Sequence, residues 1–224
     1  MSWNVHGLRD DVPTLRRIVR AVDPDVLCLQ EAPKFLRWRA KAAALARECG
    51  LLYLTGGGTT GGTALLVNLR VDVLRSAELP LSRYALGWPD RGVAAAVVRK
   101  GGAVLGVASL HLPLPEDERL AQVRRALEVL RGGGADHVFA AGDLNERPGH
   151  SAWEHLQAEG LRDLAPRSGP TFPSAEPVTR IDGAFATAGV EVIEHEVVDR
   201  PGVEHASDHR PLVVTLEVPV GQRA

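Results

Sequence analysis

Aromatic residues are scarce in this chain: Phe, Trp and Tyr make up 4% of its 224 residues. Platforms on which unstacked bases would stack are therefore few. Cysteine is scarcer still. Cys28 and Cys49 are the only two, and their spacing fits neither a zinc site nor a disulfide framework. Cys28 lies in the apolar run Val26-Leu27-Cys28-Leu29 and reads as a small buried hydrophobe, while nothing in the sequence supports a bridge to Cys49. No apolar run reaches the ~18 residues of a membrane span, and no charged-then-apolar leader with a cleavage site opens the chain. A soluble, cytoplasmic protein is the expectation, with no protein partner indicated. Charge of one sign is also lacking. The formal net charge is −2 and the pI about 6.4, which argues against a broad basic field for non-specific nucleic-acid binding but leaves room for a local basic groove. An acidic site that holds a cation would also distort this count, because the cation is not in it.

What the chain does have is apolar material, 45% of its residues, enough for a full core in one domain over residues 1–224. Leu15, Ile18, Val19 and Val22 recur at helical spacing behind Asp11, a cap, and Pro13 in the first turn. A strand is predicted at Val26 to Gln30, a helix near Lys34 to Glu48 and a strand at Leu51 to Leu54. Thr55 to Gly62 is glycine-rich but lacks the Gly-Lys-Ser/Thr ending of a phosphate cradle, so it reads as a flexible surface loop near a site mouth. Strands follow at Gly62 to Leu69 and Val71 to Leu79. Val93 to Arg99 and Ala103 to Leu110 flank Lys100-Gly101-Gly102 as a hairpin. Leu120, Val123, Leu127 and Leu130 mark an amphipathic helix ended by Gly132-Gly133-Gly134. Beyond it come a strand through Val138 to Asp143, a short helix from Ser151 to Glu159, a loop from Leu161 to Thr179, and strands at Ile181 to Ala186, Val190 to Val198 and Leu212 to Val218. Several consecutive strands without an intervening helix argue for antiparallel pairing, and the order suits two sheets packed face to face under helices.

The chemistry sits at strand ends. In Gly142-Asp143-Leu144-Asn145 the two polar residues are two apart and share a face of an extended chain, so an anionic base or metal ligand stands beside a neutral amide. Read singly, the other candidates have ordinary explanations. Asn4 follows Trp3 near a turn, Glu31 ends an apolar run, and His111 precedes Pro113 as a capping or rim residue. Asp182 in Arg180-Ile181-Asp182-Gly183 has Arg180 as an available ion-pair partner, and Ser207-Asp208-His209 could be a solvated loop. As a set they combine carboxylates, imidazoles and amides at the ends of six apolar strands. Other motifs fail: His195-Glu196-Val197-Val198-Asp199 has the wrong last residue for a zinc helix, and no Gly-x-Ser-x-Gly supports a serine nucleophile. His137, His150, His155 and His195 read as surface or satisfied residues, and His205 as a candidate for the site rim.

The ordered blocks Ser2-Trp3-Asn4-Val5-His6-Gly7, Leu29-Gln30-Glu31, His111-Leu112, Gly142-Asp143-Leu144-Asn145, Arg180-Ile181-Asp182 and Ser207-Asp208-His209 resemble those of the endonuclease/exonuclease/phosphatase superfamily. The resemblance spans nearly the whole chain. It implies a DNase I-like α/β (α+β) four-layer sandwich, two central mixed and largely antiparallel sheets flanked by helices, with a divalent-metal phosphoesterase site at one edge. It further implies Glu31 as principal ligand of Mg²⁺, or of Mn²⁺ in its place, with Asn4 and Asp208 close to the metal. Asp143 would orient and deprotonate the attacking water, Asn145, His111 and His209 would contact phosphate, and Asp182 would orient His209 and favour its cation. The substrate is less legible. His111 stands where the abasic endonucleases carry a tyrosine-bearing segment, and Gly183 stands where a bulky aromatic is common. Trp88, Arg37, Arg39, Lys41, Arg83 and Arg91 are candidate substrate contacts. The expectation is a phosphodiesterase of nuclease type with nucleic acid as a possible substrate. A phosphatase or phospholipase C-like hydrolase of a small-molecule or lipid-headgroup phosphate is the alternative, and a catalytically degenerate binding module is the reading from another class.

Overall fold

The computed structural model describes residues 1–83, 87 and 89–221. Its elements run β1 (Ser2–Asn4), α1 (Val12–Val22), β2 (Val26–Gln30), α2 (Trp38–Glu48), β3 (Leu52–Gly56), β4 (Ala64–Val67), β5 (Asp72–Arg83) and β6 (Pro89–Lys100). The same order then recurs as β7 (Ala103–His111), α3 (Glu116–Gly132), β8 (His137–Asp143), α4 (Ser151–Ala158), β9 (Leu161–Asp163), β10 (Asp182–Thr187), β11 (Glu191–Val197) and β12 (Leu212–Glu217), with the short α5 (Val203–Ala206) before the last strand. The sequence carries no corresponding repeat. Among the described residues, no helix is long and apolar enough to cross a membrane.

Each half is built on a parallel pair, β1 with β2 and β7 with β8. Antiparallel β4 and then β3 extend the first pair, and β10 and then β9 extend the second. The last two strands of each half cross over. The antiparallel pair β5 and β6 joins β7, and β11 and β12 join β1. Two mixed six-stranded sheets result, ordered β11-β12-β1-β2-β4-β3 and β5-β6-β7-β8-β10-β9.

Side-chain alternation sorts the apolar residues into three layers. Trp3, Leu27 and Leu29 face α1 and α2 through Leu15, Ile18 and Leu45. Leu110, Val138 and Ala140 face α3 and α4 through Val123, Leu127 and Trp153. Between the sheets lie Cys28, Ala94, Ala96, Val107, Phe139, Ala141, Ala184 and Ala186. Helix, sheet, sheet, helix is the four-layer order. The parity of the strands then places the polar residues: Ser2 and Asn4 flank Trp3, Gln30 follows Cys28 by two, Ser109 and His111 continue from Val107, Asp143 from Ala141, and Asp182 precedes Ala184 by two. All of them point between the sheets.

Asp11 caps α1, its carboxylate accepting the Thr14 N–H at 3.1 Å. Three expectations change. The segment Thr55 to Gly62 is not a loose surface loop, since nearly all of it is buried. A Cβ on Gly57 or Gly58 would come within 2.6 or 2.5 Å of the Trp38 ring, so these glycines mark close backbone packing. The helix expected from Lys34 starts only at Trp38, because Arg37 has φ 58°, outside the right-handed helical region. Finally, β9 lies at the start of the expected loop at Leu161 to Thr179. Both cysteines are free and buried. Trp88 and the Arg83 side chain fall outside the described residues.

Candidate active site

Strand register assembles the site. Asp143 is paired in register with His111 on β7 and with Asp182 on β10, so three polar side chains form a row on the inner face of the second sheet. In the first sheet Asn4 is paired with Gln30 at the ends of β1 and β2, and Glu31 follows directly with φ 51°. That left-handed turn ends the strand. Both parallel pairs therefore present their C-terminal ends at the same place, the position at which sheets of parallel strands offer ligand sites.

Asn4 joins the sheets. Its Nδ2 donates to Asp143 Oδ2 at 3.0 Å and to Glu31 Oε1 at 3.4 Å, while its Oδ1 accepts the His6 N–H at 3.1 Å. Asp143 Oδ1 accepts the Asn145 N–H at 2.9 Å. The imidazole Nε2 atoms of His111 and His209 lie 3.6 and 3.7 Å from Asp143 Oδ2, beyond hydrogen-bond length. His209 Nδ1 meets Asp182 Oδ2 at 2.9 Å. Asp143, Asp182 and His209 thus each offer a ligand atom within 4.8 Å of the others.

The two imidazoles are held in opposite charge states. Burial pulls His111 down to about 4, so it is neutral over most of the pH range. Burial also opposes charge on His209, but the Asp182 carboxylate bonded to it, with Asp143 nearby, lifts it to about 9. Burial and then the Asp182 charge raise the Asp143 carboxyl above the ordinary aspartate range. A carboxylate poised to take a proton faces one neutral and one cationic ring.

Around this centre lie groups that single-residue reading passed over. Trp3 Nε1 donates to the His209 carbonyl at 2.8 Å, and the Phe172 ring packs on the His209 ring at 4.9 Å between centroids. Ser207 Oγ donates to the Asn4 carbonyl at 2.6 Å. One step below, Gln30 Nε2 donates across the seam to Ser109 Oγ at 3.0 Å, and Ser109 donates to the Leu29 carbonyl at 2.7 Å. The signal for both was positional: Gln30 precedes Glu31, and Ser109 shares a face with His111.

Two residues stand differently from expectation. Arg180 pairs with Asp163, at 2.7 and 2.9 Å, rather than with Asp182. Asn145 Nδ2 donates to the Leu112 carbonyl at 2.8 Å, so one of its two amide hydrogens is already used. Asp208 is half-buried beside this group, its carboxylate 3.4 Å from the Ser207 hydroxyl oxygen, whose hydrogen goes to the Asn4 carbonyl. His205 sits outside the cluster on α5, exposed and 3.5 Å from Glu204.

The donor set suits a hard divalent cation. Glu31, Asp143, Asp182 and Asp208 supply four carboxylates, and the only imidazolium among the candidate groups is His209. Asp143 and Asp182 are buried while Glu31 and Asp208 are half-buried, and negative charge gathered at one sheet edge in this way suits a counter-cation.

A four-layer fold whose two sheets converge on carboxylates and imidazoles defines a phosphoester-hydrolysing enzyme of the DNase I-like class. The chain belongs to the endonuclease/exonuclease/phosphatase family, whose sequence model matches residues 1–209. The family is divalent-metal dependent. Solved structures share the fold over nearly the full length. An endonuclease/exonuclease/phosphatase from Bacteroides vulgatus has 17% identity and TM-score 0.79, with 97% of each chain covered. The mannosyl-6-phosphatase of Bacteroides thetaiotaomicron has 17% identity and TM-score 0.77, covering 96% of this chain and 98% of that one. TDP2 of D. rerio, complexed with single-strand DNA product, has 21% identity and TM-score 0.75, with 97% of each chain covered. No curated protein matches the chain.

Proposed function

We propose that this chain is a phosphodiesterase of nuclease type that uses Mg²⁺ or Mn²⁺ and hydrolyses its substrate by in-line attack of water. One observation carries the reading: a single amide, Asn4 Nδ2, ties Glu31 to Asp143 across the seam between the sheets. The group best suited to hold a cation and the group best suited to take a proton are thereby held as one unit.

A bound divalent cation would neutralise charge on the phosphate and on the departing oxygen. Glu31 would hold it, with Asp208, whose charge acts at His209, as the further carboxylate. The close trio of Asp143, Asp182 and His209 is the other possible cage, but Asp182 and His209 already satisfy each other at 2.9 Å. Asn4 acts through its neighbours, since both its amide ends are occupied by protein groups. Asp143 Oδ2 orients a water and accepts its proton, a task that suits a carboxyl whose proton affinity burial has raised. The 3.6 and 3.7 Å gaps leave the two Nε2 atoms without a hydrogen bond to Asp143 and available to a phosphate. Cationic His209 donates to a non-bridging oxygen, with Asp182 fixing its orientation and charge. Neutral His111 meets the leaving oxygen through Nε2, and Asn145 gives its second amide hydrogen to the phosphate.

We place the activity in a single cytoplasmic domain over residues 1–224, with no protein partner indicated by its sequence. The candidate positions keep the side chains the chemistry needs, which favours an enzyme over a degenerate binding module. A panel of single- and double-stranded DNA, RNA, inositol phosphates and sphingomyelin, assayed with and without Mg²⁺ or Mn²⁺, tests the reading. Hydrolysis of nucleic-acid diesters that is lost in Asp143→Ala and His209→Ala is expected. Turnover of monoesters alone would shift the assignment to a phosphatase, and turnover surviving both substitutions would refute the roles.

A further inference from the structure

The glycine-rich segment touches the site on one side and a pair of cations on the other. A Cβ on Gly61 would lie 2.3 Å from the Asp90 carbonyl and 2.6 Å from the Arg91 nitrogen. On Gly62 it would lie 3.4 Å from Glu31 Cα and 3.6 Å from Lys34 Cδ. Two adjacent glycines are thus all that separates the Arg91 backbone from Glu31. The Gly62 carbonyl accepts the Ala32 N–H at 2.8 Å, which locks this spacing.

Arg91 is poorly used by the protein. Its Nη1 donates to the Asp90 carbonyl at 3.1 Å and to Asp90 Oδ1 at 3.3 Å, while its buried Nε has no hydrogen-bond partner among the described residues. A guanidinium carries five donors in a fork that matches phosphate oxygens. Asp90 anchors one arm, and among the described residues nothing holds Nε. Burial is the main influence on both Lys34 and His111; beyond it Lys34 lies among the Asp90 and Glu31 carboxylates as well as Arg91, and His111 lies by Asp143 and then Arg91, so the two cations and this imidazole share one neighbourhood.

We infer that Arg91 and Lys34, seated by the Gly61-Gly62 link, form a second anion subsite beside Glu31 and His111 that binds a phosphate next to the one being cleaved. This rests on the phosphoesterase reading and names its substrate class: a phosphate ester with a second phosphate close by. That second phosphate comes either from the next link of a nucleic-acid strand or from a small bisphosphate. Lining the site with glycine instead of a larger residue is what lets the Arg91 backbone and the Lys34 stem come this near to Glu31.

The test compares dithymidylate, which has one diester, with 5′-phosphorylated dithymidylate, which adds a phosphate. Wild-type enzyme is expected to prefer the phosphorylated substrate in kcat/KM, and Arg91→Gln to lose about tenfold more on it than on the plain dinucleotide, the scale of one charge-assisted contact. An equal loss on both, or none, overturns the inference. A second measurement needs no turnover: calorimetric binding of inorganic pyrophosphate and inorganic phosphate to the Mg²⁺-loaded protein. Tighter binding of pyrophosphate that Arg91→Gln and Lys34→Gln remove supports the subsite even if the dinucleotides are not hydrolysed, whereas equal binding of the two anions overturns it. Competition by a sugar bisphosphate against competition by the phosphorylated dinucleotide identifies the source of the second phosphate, and competition by neither contradicts the proposal.

Discussion

His111 and His209 are the same residue type within reach of one carboxylate oxygen, yet they sit in opposite charge states. The difference is Asp182, which touches only His209. Linkage fixes the sign of the pH dependence in the metal-free protein. His209 has a folded pKa of about 9, raised above the ordinary histidine value, so its contribution to stability is fully present below about pH 6.5 and is lost as pH rises through 9. His111, lowered to about 4, behaves in reverse: its contribution is present above about pH 6.5 and is lost as pH falls through 4. Chemical denaturation in EDTA across this range should show Asp182→Asn flattening the alkaline loss while leaving the acid limb in place. An unchanged alkaline limb would mean that the pair does not set the charge of His209. At this scale the sequence was informative about identity and silent about state. Asp143, Asp182 and His209 were named from their blocks, but which histidine carries charge depends on which strands are neighbours. The sequence was silent about the partner of Arg180 for the same reason, because Asp163 is distant in sequence and adjacent only through the pairing of β9 with β10.

Among elements, the strand ends act as units because register fixes them. Gly142 shows how tightly. A Cβ there would lie 1.9 Å from the Leu110 carbonyl, its neighbour in the parallel pairing of β7 and β8. Backbone cannot yield that distance, so Gly142→Ala is expected to push β7 and β8 apart and displace His111 from Asp143. A soluble variant with full activity would contradict that. The Gln30 to Ser109 bond is a milder test of the tie between the sheets. Ser109→Ala removes the bond across the seam and the one to the Leu29 carbonyl, but Gln30 Nε2 keeps the Ser2 hydroxyl and the Cys28 carbonyl at 3.3 Å, so the expected cost is about 1 kcal/mol in denaturant melts. Most strands and the amphipathic helices were legible from period and punctuation. The glycine-rich segment was not, since glycine signals a need for space or for a rare backbone angle, and only the packed Trp38 ring and the Asp90 backbone show that here it was space.

For the whole molecule, the crossing of β5 and β6 into one sheet and β11 and β12 into the other makes each half depend on the other for a complete sheet. A fragment of residues 1–102 would leave β1 with an open edge, and β5 and β6 without β7. It is expected to show no cooperative thermal transition by circular dichroism, and a sharp one would show that the halves fold independently. The repeated element order was invisible in the sequence because helices and strands tolerate many apolar patterns, while the polar blocks at the strand ends differ between the halves. In the function proposed above those differences divide the chemistry: one parallel pair ends in Asn4 and Glu31, the other in His111 and Asp143. Bringing these ends together to hold a cation beside a buried base is the central claim, and a titration of Mn²⁺ followed by electron paramagnetic resonance tests it most directly. Saturable binding in the wild type that Glu31→Gln weakens at least about tenfold, the loss of one carboxylate ligand, is predicted. No saturable binding at millimolar Mn²⁺, or equal binding by the variant, would contradict it.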